Sequence, residues 1–161
     1  MGYNGFMTTI NLPIVSNKRE CGTCTKCCEG YLRADVKFDN RELIQLKPNA
    51  CPILKIGKGC GDHENRPEDP CRSYKCLWLL DEDIPDEFKP EKTGVILDLV
   101  DIKGFNTLRI IPAPDDPTLD MIIWVMQYFH SNNGLNLIWS HKGNEHMFGS
   151  FEFMEMMNNE R

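Results

Sequence analysis

The clearest pattern of apolar and polar positions lies in the C-terminal half of the chain. Gly94 to Ile102 is dense in Val, Ile and Leu and predicts a strand. Lys103, Gly104 and Phe105 predict a turn, and Thr107 to Pro112 its hairpin partner. Pro112, Pro114 and Pro117 then interrupt regular structure. Asp116 as N-cap with Pro117 at the first helical position predicts a helix to about Ser131, with Gly134 as its stop. Leu135 to Ser140 reads as a third strand and Gly143-Asn144 as a turn. Met147 to Phe153 reads as a fourth strand or the lead into a closing helix.

The N-terminal half has no comparable periodicity. Residues 1–17 read as an extended lead with one strand through Thr8 to Val15. Residues 18–80 read as loops with short helices. In one of these helices Asp39 caps a segment through Arg41, Glu42, Leu43, Ile44 and Leu46 that ends before Pro48. Residues 81–92 carry Asp81, Glu82, Asp83, Asp86, Glu87 and Glu91 and read as an acidic linker to a tail at 93–161. The expected fold class is α+β. A small irregular cysteine module, stabilised by metal, precedes a small antiparallel sheet with one main helix that packs on it.

Composition sharpens this division. All eight cysteines fall between Cys21 and Cys76. Few apolar residues separate them, so a bound metal is expected to supply part of the folding energy. The hydrophobic fraction of 41% suits a soluble core. The formal net charge of -6 argues against nucleic acid, whose binding rests on Lys and Arg neutralising phosphates. Lys18, Arg19, Lys26, Arg33 and Lys37 do gather near the cysteines, which keeps a zinc-dependent nucleic-acid binder as the weakest of three readings. No apolar stretch approaches the roughly 18 residues a membrane helix needs. The first residues lack a secretory pattern, and Phe6 breaks a myristoylation pattern, so the expected location is the cytoplasm. In a reducing compartment, clustered cysteines bind metal more often than they form disulfides.

Cys21-x-x-Cys24-x-x-Cys27-Cys28 is dense enough to converge thiolates on metal through tight turns. Adjacent Cys27 and Cys28 point different ways, so they reach two metals, or one of them only supports the other. With Cys51, Cys60, Cys71 and Cys76 there are eight thiols. They match two four-cysteine zinc sites, two four-cysteine iron–sulfur clusters, or one centre with spectator thiols. The bacterial ferredoxin run fails at Cys28, which is adjacent to Cys27 and is not followed by Pro.

Four segments in order resemble the CxxCxxCC cysteine-cluster family, the YkgJ-like proteins described as zinc- or iron-chelating domains. They are Cys21 to Cys28, Cys51-Pro52-Ile53-Leu54, Cys60 with Arg66-Pro67 six residues on, and Cys71-Arg72-Ser73-Tyr74-Lys75-Cys76. The resemblance covers roughly residues 21–80. It implies zinc or iron as cofactor, the iron alone or in an iron–sulfur cluster, held by the eight cysteines, and it implies little about a reaction. The chain departs from the family pattern in two places: His63 stands where the family often has Tyr, and three residues rather than two separate Arg66-Pro67 from Cys71. His63 is then an additional ligand or a solvated loop residue. Arg66 and Arg72 suit guanidinium groups that offset the charge of a metal–thiolate centre and donate to its sulfurs.

Outside the module, His141, Glu145 and His146 raise a two-histidine, one-carboxylate iron site, against the ordinary reading of polar residues beside a turn. Met121, Trp124, Met126, Tyr128 and Phe129 cover more than one helix face, as core packing with some excess for a protein partner. No nucleotide-binding or hydrolase motif occurs, and no complete catalytic constellation is present. Two readings lead: a small cytosolic metal-binding protein of structural or accessory role, and an iron–sulfur redox or accessory component of a protein-modifying enzyme.

Overall fold

The computed structural model describes residues 19–32, 35–36, 44–45, 50–51, 53–55, 57–131 and 135–159, with 35–36, 44–45, 69–70 and 130 described in backbone only. The lead at 1–17, the cap at Asp39 and the stop at Gly134 lie outside these residues.

The fold is α+β. The module opens with a turn of 3-10 helix, Lys26–Glu29, closed by Gly30 in the left-handed region. Two minimal hairpins follow: β1 (Asp35–Val36) with β2 (Ile44–Gln45), and β3 (Leu54–Lys55) with β4 (Gly59–Cys60). Ile44 and Gln45 therefore belong to a strand, not to the helix expected there. Their backbone groups pair with Asp35 and Val36, and that pairing overrides the local helical signal. A single π-helical turn, Glu68–Arg72, leads to the short helix α1 (Leu77–Leu80).

The acidic stretch at 81–92 is folded onto its neighbours. Ile84 is wholly buried, Asp86–Phe88 forms a 3-10 turn, and α2 (Pro90–Thr93) starts with Pro90 at its first position. α1 and α2 both pack on strand β5 (Val95–Ile102). Gly94 ends α2 at φ 64, and its carbonyl accepts the N–H groups of Ala113 and Asp115.

β5 pairs in antiparallel fashion with β6 (Phe105–Pro112) through the tight turn Lys103-Gly104, both at positive φ. Helix α3 (Leu119–Ser131) then carries the chain back across the sheet, so β7 (Asn136–His141) lies parallel to β6. β8 (Asn144–Phe148) returns antiparallel through Lys142-Gly143, and α4 (Phe151–Asn159) closes the described chain. The sheet is thus mixed, in the order β5-β6-β7-β8, where an antiparallel one was expected. A helical crossover returns the chain to the end of the sheet from which β6 began, which makes the next strand parallel.

The start of α3 also differs from expectation. Thr118 caps it, with Oγ1 accepting the Met121 N–H at 3.2 Å and its carbonyl the Ile122 N–H at 3.0 Å. Asp116 instead accepts the Lys142 N–H of the β7–β8 turn.

Module and tail share one core. Leu32, Cys76, Leu77 and Trp78 join Ile84, the inward residues of β5 and β6, and Met121, Ile122 and Val125 of α3. Of the aromatic and Met residues of α3, Met121 is buried, Trp124 lies edge-on to Phe88 and stacks on Tyr128, and Phe129 meets Phe148. Leu119, Ile123 and Met126 remain exposed. Among the described residues no helix is long and apolar enough to cross a membrane.

Candidate metal centre

Backbone turns place the first four cysteines. The Cys24 N–H bonds the Cys21 carbonyl at 3.0 Å, and the Cys28 N–H bonds Thr25 at 2.8 Å. Gly22 sits at φ 57, a conformation that favours glycine and lets the chain reverse directly after Cys21. The Cys51 N–H reaches the Cys28 carbonyl at 3.0 Å, and the Leu54 N–H closes a turn on Cys51 at 3.0 Å. Leu54 pairs with Cys60 across the β3–β4 hairpin. Cys76, 4% exposed, precedes α1 within the core, and Cys27 packs against that core.

All eight cysteines line one cavity of about 550 Å³ between the module and the β5–β6 face of the sheet. All eight are free thiols. Among the described residues, no group of three or more His, Cys, Asp or Glu side chains is arranged to hold a metal ion as it stands. The thiols surround a shared space without closing on a point.

Their electrostatics are those of crowded acids. Burial, then Cys51, Cys71 and Cys60, push the Cys28 thiol up to about 12. Desolvation at the cavity rim raises Cys21, with Cys76 and Cys24 adding to it and Arg66 and Lys89 opposing. Burial raises Cys24. Cys27 donates a hydrogen bond to the Cys76 sulfur, which raises Cys27 and lowers Cys76, and the N–H groups of Leu79 and Trp78 lower Cys76 further. Burial and the neighbouring thiols thus favour the protonated form of Cys21, Cys24, Cys27 and Cys28, so loading a metal on them must expel protons.

The three polar residues flagged beside the cysteines are placed differently. Arg66 lines the cavity, contacts the His63 ring through Nη1, and buries an Nε with no hydrogen-bond partner among the described residues. His63 is exposed beside it and does not line the cavity. Arg72 is exposed, and its guanidinium donates to the carbonyls of Arg66 at 3.0 Å and Glu64 at 2.5 Å. It braces the loop that carries Arg66 rather than facing the sulfurs.

The sheet supplies a wall that residue spacing did not reveal. Asp98, 1% exposed, accepts from Arg109 Nε at 3.0 Å and from its Nη2, and both residues line the cavity. Tyr74 lies beside them with its hydroxyl buried, and burial, then Cys27 and Asp98, raise its phenol. Lys75 and Lys89 complete a largely cationic rim in an acidic chain. An Asp inside the apolar run Val95–Ile102 and an Arg inside Phe105–Pro112 were the available signals; the cross-strand register Asp98–Arg109 joins them.

Other candidate groups are not brought together. In the β7–β8 ladder His146 stacks its ring on Trp139, Glu145 pairs with Ser140, and His141 with Asn144. Glu145 and His146 are neighbours on a strand and point to opposite faces, so no two-histidine, one-carboxylate site forms. Of the basic residues near the cysteines, Arg19 turns inward. It donates to the carbonyls of Trp78, Asp81, Glu82 and Ile84, pairs with Asp86 at 3.1 Å and lies over the Trp78 ring. Lys26 pairs with Glu29. Lys18, Arg33 and Lys37 lie outside the described residues.

No protein-family model, curated protein or solved structure matches this chain. The functional reading therefore rests on the residues themselves.

Proposed function

We propose that this chain is a small cytosolic metal-binding protein whose eight cysteines ligate zinc or iron, in a structural or accessory role. The observation that carries this reading is the single cavity bounded by every cysteine of the chain. Four thiolates per centre satisfy either a tetrahedral zinc ion or an iron–sulfur cluster. Arg66 and Lys89, whose charges already favour the Cys21 thiolate, would offset the negative charge of a metal–thiolate centre.

A second reading, an iron–sulfur accessory protein, is favoured by the same space. A bare zinc ion draws its sulfurs to about 2.3 Å from itself. These thiols stand back around about 550 Å³ instead, which suits a centre that brings its own bridging sulfides.

The test is anaerobic purification of the full chain, with zinc, iron and acid-labile sulfide determined against protein. Zinc at one or two per chain without visible absorbance supports the first reading and removes the second. Iron with matching sulfide and the broad visible absorbance of a cluster selects the second. Protein that takes up neither metal overturns both.

A further inference from the structure

The outward side of α3 is apolar where the solvent face of a helix is ordinarily polar. Leu119, Ile123 and Met126 are 69%, 45% and 37% exposed, while Met121, Ile122 and Val125 of the same helix are buried. The exposed three follow one another at steps of four and then three residues, the spacing of a coiled-coil seam. A ridge of that spacing matches the apolar stripe of a second helix packed along it. On one flank Phe129 meets Phe148, itself 55% exposed, and the apolar surface continues onto β8.

The other flank is acidic. An α-helix turns about 100° per residue, which puts Asp120 beside the ridge and Trp124 and Tyr128 beyond it. Trp124 meets Phe88 edge-on, with ring centroids 5.1 Å apart, and Tyr128 donates to Asp81. These two contacts hold the segment 81–88 along this flank, and Glu82, Asp83, Asp86 and Glu87 on it are exposed. Asp115 and Asp116, just ahead of the helix, are exposed as well. Arg19 reaches the strip and pairs with Asp86 at 3.1 Å, but its other donors go to backbone carbonyls. Lys89, at the end of the strip, pairs with Glu91. The carboxylates therefore outnumber the cations, and neither Lys nor Arg occurs between Ala113 and His141.

From this juxtaposition we infer that α3 is a docking surface for a basic amphipathic helix of a partner protein. Leu, Met or Phe of that helix would pack on Leu119, Ile123 and Met126, and its flanking Lys or Arg residues would face Asp120 and the 82–87 strip. The mode is that of helix-on-helix recognition, with apolar anchors for affinity and charge for register and choice of partner.

Charge also sets this occupant apart from the two that the chain itself could supply. A second copy would bring its own Asp115, Asp116 and Asp120 toward the same carboxylates, with no Lys or Arg on its α3 to meet them. Residues 1–17 carry no Lys or Arg, so they would cover the ridge and leave the acidic flank unanswered.

The test uses the full chain labelled with nitrogen-15 and two synthetic helical peptides. Both carry Leu at the seam positions; one has Lys on its flanks and the other Glu. The Lys-flanked peptide is expected to shift the amide signals of α3 and of residues 82–87 together. Its affinity should fall about tenfold as salt rises from about 50 mM to about 500 mM, because screening removes the charge contribution. Ile123→Glu, at an exposed position, should abolish binding, and Leu119→Glu serves in its place if circular dichroism shows that variant unfolded. Asp83→Lys with Glu87→Lys should weaken the Lys-flanked peptide and admit the Glu-flanked one. No binding of the Lys-flanked peptide, equal binding of both peptides, or shifts that leave α3 unchanged overturn the inference. A dimer in analytical ultracentrifugation that Ile123→Glu disperses overturns it in favour of a second copy. Nuclear Overhauser contacts from residues 1–17 to α3 overturn it in favour of that segment.

Discussion

Asp98 and Arg109 face each other across the β5–β6 ladder, and the carboxylate is almost wholly buried while the guanidinium reaches the cavity edge. Placed in a strand whose neighbours are Ile96, Leu97 and Leu99, the charge is compensated by the grip of Arg109. Removing one partner of a buried pair typically costs about 3–5 kcal/mol, whereas replacing both with apolar groups of similar volume is often close to neutral. Arg109→Met is expected to lose most of that amount in urea unfolding, and Asp98→Leu with Arg109→Met to recover much of it. Equal losses in the single and double variants would show that the pair does not act as a unit.

Gly94 is expected to refuse a side chain. Its φ of 64 is left-handed, and an added Cβ would collide with the Asp115 side chain, whose own N–H bonds the Gly94 carbonyl. Gly94→Ala should destabilise the chain by about 1–3 kcal/mol. At roughly 2–4 °C per kcal/mol for a chain of this size, calorimetry would read the loss directly. An unchanged melting temperature would mean that the α2–β5 junction relaxes freely.

Tyr128 donates its phenol to the Asp81 carboxylate and so ties α3 to the segment just after the last cysteine. Burial and this bond hold the phenol above its ordinary range, so the hydroxyl stays a donor at neutral pH. Tyr128→Phe keeps the ring that stacks on Trp124 and removes the hydroxyl that makes this bond, at an expected cost of about 1 kcal/mol. A double-mutant cycle with Asp81→Ala should return a coupling of similar size, and zero coupling would refute the link.

Metal removal should act locally. Chelation, or Cys24→Ser, is expected to lower metal content and to speed amide exchange at Cys24, Cys28 and Cys51, because binding and folding are coupled there. The β5–β6 ladder packs in the shared core chiefly beside Ile84, Met121, Val125 and Leu137, outside the cysteine loops, and should keep its protection. Unchanged metal stoichiometry in Cys24→Ser would exclude Cys24 as a ligand.

What the sequence disclosed depended on how local its cause was. The strands at 95–102 and 105–112 were legible because dense β-branched runs and a Lys-Gly turn specify them within a few residues. The parallel placement of β7 was not, because it depends on where α3 packs. Asp116 and Thr118 are both good capping residues, and only the position of the β7–β8 turn decides which one caps α3. The cysteines declared themselves by spacing. Asp98, Arg109 and Tyr74 did not, since their place at the same cavity arises from strand register and from the fold of the module onto the sheet. Arg19 read as part of a basic surface, yet its partners are carbonyl oxygens, which no side-chain pattern can announce.

That arginine has a wider consequence. By gripping the backbone at Trp78, Asp81 and Ile84, Arg19 joins the chain just ahead of the first cysteine to the chain just beyond the last. Everything between is an insert whose mouth is already shut, and the entropy of closing so long a loop is met at one clasp. Leu32, Cys76, Leu77 and Trp78 anchor the insert in the shared core, and the clasp ties its two ends together beside them. The cysteine module is in this sense a cassette, and Arg19 is the latch that holds it in place.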